Sequence, residues 1–160
     1  MARLRHGWLA VTTLPALLFN HNLRLLLAEM RTFCRNLPSA LKGSLPEALQ
    51  QLTPAADNVL TDVGADYTRN MADLAALLDR RSPLGLCLRR SLTRYHFLRR
   101  IGVPVVLQFG AKFVAGKPDR EVGGHAWLTL NGRPYYEADE NRRGFTVMFS
   151  FPDSNPDSNS

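Results

Sequence analysis

Residues 123–139 read GGHAWLTLNGRPYYEAD, with Asn131-Gly132 set between two runs of strand-forming residues. A two-residue turn between antiparallel strands needs positive φ at both central positions, and Asn-Gly is the pair that adopts it most readily. The stretch therefore predicts a tight hairpin, with His125 near the start of its first strand and Glu137 and Asp139 on the returning one. Upstream, VPVVLQFGAKFV at 103–114 places Val103, Val105, Leu107 and Phe109 at alternate positions beside Pro104 and Gly110, a composition that suits a strand and not a helix. Downstream, GFTVMFSF at 144–151 alternates Phe145, Val147, Phe149 and Phe151, which predicts a fourth strand with one apolar face.

The first hundred residues carry a different period. Leu23, Leu26, Leu27, Met30 and Phe33 recur at helical spacing, predicting an amphipathic helix that ends near RNLP at 35–38. Residues 36–54, with Pro38, Gly43, Pro46 and Pro54, form a turn-rich stretch with room for one short helix. Thr53-Pro54 offers an N-cap and a first-turn proline for a further helical stretch, which reaches NMADLAALLDRR at 70–81 and buries Met71, Leu74, Leu77 and Leu78. At the N-terminus, Arg3, Arg5 and His6 precede an apolar run, Trp8–Phe19. That run is interrupted by Pro15, is followed by no small-x-small cleavage site, and is shorter than the roughly 20 residues that cross a bilayer. A soluble helical segment is expected there, with contact at a membrane surface as the minor alternative. The last residues, PDSNPDSNS, are polar and repeat themselves, which predicts a disordered tail over 153–160. Helices followed by an antiparallel sheet make an α+β chain: a helical region at 1–80 belonging to the same domain, a core at 81–152 in which a helix packs on the sheet, and the tail.

Composition narrows the setting. The 160 residues carry 20 Lys and Arg against 14 Asp and Glu, a net charge of +6 that favours an anionic or acidic partner. Two widely separated cysteines, Cys34 and Cys87, are too few for a disulfide framework and fit no zinc spacing. A reducing, cytoplasmic location is expected, with room for at most one Cys34–Cys87 bridge. His6, His21 and His96 have no partner at metal-ligand spacing, and Gly110 and Gly116 belong to no phosphate loop, so neither a metal nor a nucleotide cofactor is expected.

Chemistry concentrates at SPLGLCLRRSL, residues 82–92. Ser82 and Pro83 suit a helix start, Gly102 a helix stop, and Leu84, Leu88, Leu92, Tyr95 and Leu98 a buried stripe between them. Cys87 then falls in the first turns, where unpaired N–H groups and the helix dipole favour thiolate. A cysteine on a helix flank is, taken alone, more often core. His125 changes the balance, because imidazole can take a thiol's proton near neutrality and later protonate a leaving amine. Across the hairpin, either Glu137 or Asp139 could accept the other imidazole N–H and orient the ring. The order of thiol on a helix N-terminus, imidazole on a strand and acid after a hairpin is the papain-like or transglutaminase-like order. Arg89, Arg90, Arg94, Arg99 and Arg100, with Tyr95 and Phe97, could instead form a nucleic-acid patch, although arginines on a helix's open face are more often simply solvated.

Three blocks in this order, CLRRSL at 87–92, LRRIGVPVVLQFGA at 98–111 and HAW at 125–127 with a turn and an acid beyond, resemble the transglutaminase-like domain of the lasso-peptide biosynthesis B proteins over about residues 80–140. The resemblance implies a cysteine peptidase, a hydrolase of ribosomal-peptide maturation and antibiotic biosynthesis that removes the leader from a lasso precursor. Carried over, Cys87 is similar to the family's nucleophile and His125 to its base. The family's third residue is usually aspartate; Glu137 stands at the matching distance from HAW, and Asp139 has the usual side-chain length. Thr129 replaces a glutamate frequent in the family. The helical N-terminal region lacks the strands of a fused recognition domain, so the resemblance is to the split form, which works with a separate leader-recognition protein and a lasso cyclase and needs no specific nucleic acid. A catalytically silent peptide- or RNA-binding relative of the same fold is the alternative.

Overall fold

The structure is a computed structural model, and it describes residues 20–55, 64–113 and 122–152. The expectations for the apolar run before Asn20, for Gly116 and for the tail at 153–160 lie outside the described residues. The chain divides into two compact units between Val103 and Pro104, the first helical and the second built on a sheet. The helix that carries Cys87 therefore groups with the helices before it. The α+β class holds, with a four-stranded antiparallel sheet.

In the helical unit, α1 spans His21–Ala40. Asn20 caps it, its Oδ1 accepting from the N–H groups of Asn22 and Leu23 at 3.0 and 3.3 Å. Leu23, Leu26, Met30, Cys34 and Leu37 form its buried stripe. The helix does not stop near Pro38 as the sequence suggests; it runs through to Ala40. A proline in the last turn forfeits one ladder bond, and Leu41 N–H closes the end by donating to Leu37 O at 3.0 Å. Helix α2, Leu45–Leu52, is the short helix expected in the turn-rich stretch, with Pro46 in its first turn.

Thr53 terminates α2 instead of starting the next helix. Its hydroxyl donates to Leu49 O at 2.7 Å and accepts from the Tyr95 hydroxyl at 2.9 Å. His96 adds a second tie, its Nδ1–H donating to Leu52 O at 2.6 Å. Two carbonyls that the end of α2 leaves without a helical partner are thus satisfied, Leu49 O by Thr53 itself and Leu52 O by His96 of a later helix.

Helix α3, Ala65–Leu78, buries Thr68, Met71, Ala72, Asp73, Ala75 and Ala76. The leucine stripe expected here is displaced: Leu74 and Leu77 are half-buried and Leu78 is 47% exposed. Alanines face inward because they let α3 approach its neighbours closely, forming one cluster with Leu26, Met30, Cys34 and Phe97. Helix α4, Leu86–Arg100, begins three residues later than Ser82-Pro83 suggests, with Gly85 at the cap position. Ser82 Oγ instead accepts from Leu84 N–H at 3.3 Å and shapes the turn before it. The far end is a Schellman motif: Gly102 sits at φ +81°, its N–H donates to Arg99 O and that of Val103 to Leu98 O.

The basic face expected on α4 is largely internal. Arg89 and Arg94 are buried, and Arg94 donates two parallel hydrogen bonds, from Nε and Nη2, to the carboxylate of Asp73 on α3. Arg100 pairs with Glu29 on α1. A helix buried on several sides can keep guanidinium groups only by pairing them, which explains why these charges point inward.

In the sheet unit, β1 spans Val106–Phe113, β2 Val122–Leu130, β3 Arg133–Pro134 and β4 Thr146–Phe151, in the spatial order β3-β2-β1-β4 with every pair antiparallel. Asn131 and Gly132 both have positive φ, +50° and +72°, as the hairpin requires. The edge strand β4 is less buried than its alternation suggests: Val147 is exposed, and a register shift at Phe109/Gly110 bends its pairing with β1. The returning strand β3 is short: Pro134, opposite Thr129, sits on the open edge of the sheet, Tyr135 N–H still donates to Leu128 O at 2.8 Å, and Tyr136 then turns to φ +51° and leads the chain out of the sheet. Asp139 consequently opens a one-turn helix, α5, Asp139–Arg142, and does not share a strand face with Glu137.

His96 makes the helical unit acid-sensitive. Its pKa is pushed below the usual range chiefly by burial, helped by Arg100 and opposed by the Leu52 hydrogen bond and by Glu29. The unfolded chain then binds the extra proton first, so the stability tied to neutral His96 is present above about pH 6.5, the ordinary histidine value, and is lost as pH falls below it. Denaturant midpoints between pH 7.5 and 5 should fall more steeply for the native chain than for His96→Gln; equal slopes would contradict the assignment.

Candidate active site

Each functional side chain owes its place to a backbone feature. On α4, Cys87 occupies the first turn, and Gly85 at the cap position brings no side chain to bond the N–H groups there. The start of that turn is anchored by Arg89, a residue whose sequence context suggests a solvated face. Its Nε donates to Leu84 O at 3.1 Å and its Nη1 to Ala76 O at 2.7 Å and to Asp79 O, with the Asp79 carboxylate 3.6 Å away. One guanidinium so ties the end of α3 to the turn that precedes Cys87. A hint was present in the sequence: a cation near a helix start opposes the dipole unless it has partners elsewhere.

Neither cysteine is in a disulfide, so there is no Cys34–Cys87 bridge. Their surroundings differ. Cys34 is fully buried, and its Sγ lies 3.1 Å from Thr93 Oγ1. The Thr93 hydroxyl already donates its single proton to Arg89 O at 2.8 Å, so the thiol must be the donor and keep its hydrogen. Burial pushes the Cys34 pKa up, against smaller opposing contributions. Cys87 is only half-buried.

In the sheet unit, His125 and Glu137 meet. His125 Nε2 lies 3.3 Å from Glu137 Oε1, and the side chains are 12% and 2% exposed. A carboxylate so thoroughly removed from water requires hydrogen-bond donors, and a second one comes from Asn141 Nδ2 at 2.7 Å. With ionised Glu137 as acceptor, Nε2 carries the imidazole proton and Nδ1 the lone pair. Asp139 lies elsewhere: its side chain is exposed and pairs with Arg142.

The imidazole ring is also fixed by packing. Directly opposed residues of an antiparallel pair share a face, and the register sets Gly110 opposite His125 and Gln108 opposite Trp127. The Trp127 indole stacks on His125 at 5.7 Å, and Phe145 reaches it at 5.3 Å. Room for the indole exists only because residue 110 is glycine: a Cβ there would lie 2.7 Å from two Trp127 ring carbons and 3.2 Å from Phe145 Cβ. Among the described residues, no three His, Cys, Asp or Glu side chains gather as a metal ion would need.

Two outcomes follow from this geometry. Near neutral pH, iodoacetamide should label Cys87 much faster than Cys34, read by peptide mass mapping; equal labelling would contradict the contrast between the two thiols. Gly110→Ala should destabilise the fold by about 1–3 kcal/mol in denaturant unfolding, the cost of overpacking a filled space, and an unchanged midpoint would show that Trp127 is free to move.

Comparison with known proteins comes down to one family. The model described as the transglutaminase-like superfamily matches residues 25–150. Neither the curated proteins nor the solved structures contain a match to the chain.

Proposed function

The chain belongs to the transglutaminase-like superfamily, and from that premise we propose that it is a cysteine peptidase in which Cys87 is the nucleophile, His125 the general base and acid, and Glu137 the residue that orients His125. The observation that carries this reading is the contact between a buried Glu137 carboxylate and Nε2 of a strand histidine. A glutamate this deep stabilises the imidazolium that forms when a thiol gives up its proton.

The reaction divides into two acyl transfers. Nδ1 of His125 takes the Cys87 proton, and the thiolate attacks the carbonyl carbon of one peptide bond. The resulting oxyanion is met by N–H groups at the start of α4, where a comparable donor contributes about 3–4 kcal/mol in another hydrolase. Collapse breaks the C–N bond, and the imidazolium proton leaves with the amine. Water, deprotonated by His125, then opens the thioester and restores the thiol. Every proton that moves is carried by the same imidazole nitrogen, so the ring must not turn over between the halves.

The substrate reading follows the sequence resemblance: the leader of a ribosomally made lasso precursor is removed in the cytoplasm, with a separate leader-recognition protein delivering the precursor and a cyclase receiving the core. Two cysteines outside any disulfide suit a reducing compartment. No helix among the described residues is long and apolar enough to cross a membrane. The RNA-binding alternative loses ground because Arg89, Arg94 and Arg100 are engaged within the chain.

Processing of a precursor peptide, with its recognition partner present, tests the assignment. Cys87→Ser should fold normally and cleave nothing, and Glu137→Gln should lose up to about 10⁴ in kcat, as when an orienting acid is neutralised in a serine protease. Asp139→Asn should stay near the native rate. Cleavage by Cys87→Ser would overturn the nucleophile, and an inactive Asp139→Asn beside an active Glu137→Gln would overturn the orienting acid.

A further inference from the structure

We propose that Asn141 is a positioning residue for Glu137 and, through it, fixes the tautomer of His125. The inference rests on the peptidase reading for its purpose, but its physical content concerns the sheet unit alone. Oε1 of Glu137 accepts from the side chains of His125 at 3.3 Å and Asn141 at 2.7 Å. The shorter bond is the one to the amide. Asn141 itself is exposed, yet it reaches a carboxylate that is 2% exposed.

The local backbone is built for this reach. Tyr136 holds a left-handed conformation, φ +51°, that a non-glycine residue adopts only at a cost, and it turns the chain out of the sheet immediately before Glu137. The next residues form α5, in which Asn141 N–H donates to Ala138 O at 3.1 Å and Arg143 N–H to Asp139 O at 2.9 Å. This single turn brings residue 141 back over residue 137, the i, i+4 relation in which side chains meet. A glutamate has one more rotatable bond than an aspartate, so more orientations must be excluded before its carboxylate stays on one imidazole nitrogen. The Asn141 amide supplies that restraint. It donates to the ionised carboxylate without bringing a charge that would compete with His125 for it.

The quantity to measure is the location of one proton. In the native chain above the His125 titration, ring nitrogen shifts from ¹⁵N-histidine NMR should show the Nε2–H form dominant. Asn141→Ala and Asn141→Asp should both shift His125 toward a mixture with the Nδ1–H form, read at a pH and temperature where the unfolding transition shows each variant to be fully folded. In a Glu137→Gln background, Asn141→Ala should produce no further change, since the acceptor it restrains is altered. Where precursor cleavage is measured, Asn141→Ala should lower kcat about tenfold with KM unaltered, one charge-assisted hydrogen bond's worth of rate.

An unchanged tautomer in both Asn141 variants overturns the proposal whatever the activity. A shifted tautomer in a protein whose native form cleaves nothing keeps the positioning role and removes the peptidase reading. A tautomer shift of equal size in the Glu137→Gln background shows that Asn141 acts by another route and also overturns it.

Discussion

A carboxylate held almost wholly out of water beside a histidine is the constraint around which the sheet unit is organised. Removing an ionised group from solvent costs several kcal/mol unless donors replace the lost water. Nε2 of His125 and Nδ2 of Asn141 are two such donors. The short β3, the left-handed Tyr136 and the one-turn α5 make sense as the route by which the chain delivers both. The same demand reaches across the sheet, because the His125 ring can be stacked by Trp127 only where Gly110 leaves room for the indole.

The helical unit solves a matching problem with the opposite charge. Three guanidinium groups of α4 are spent on internal partners, and the most consequential is Arg89, which joins the end of α3 to the turn before Cys87. A helix start fixed in this way holds its first-turn N–H groups in one orientation. Tyr95 and His96 do for α2 what Arg89 does for α3, bonding the end of a neighbouring helix from within α4. Helix α4 is thus the element to which the other helices of the unit are fastened.

The parts of this architecture with a strong local signal were legible from residues alone. Asn131-Gly132 announced its hairpin, Gly102 its helix stop, and the alternation of 103–114 its strand, because each rests on backbone preferences that do not depend on the rest of the fold. His125 and Glu137 were legible as a pair, but only with Asp139 still competing. Strand periodicity puts both acids on one face, whereas Tyr136 ends that periodicity first. The arginines were misjudged for a related reason. Burial of a charge depends on a partner distant in sequence, Asp73 for Arg94, and no window of neighbouring residues contains it. Asn141 carried no signal, since its role exists only once α5 has formed.

Central to the peptidase reading is that Cys87 and His125 act as one chemical unit although they belong to separate units of the fold. The most direct measurement is the rate of Cys87 alkylation at pH 6 in the native chain and in His125→Asn, with no substrate or partner required. Functional pairing predicts a native rate at least about tenfold higher than that of the variant, because imidazolium stabilises the thiolate at a pH where an isolated thiol is protonated. Equal rates in the two proteins, both rising only as pH approaches the ordinary thiol range, would contradict it.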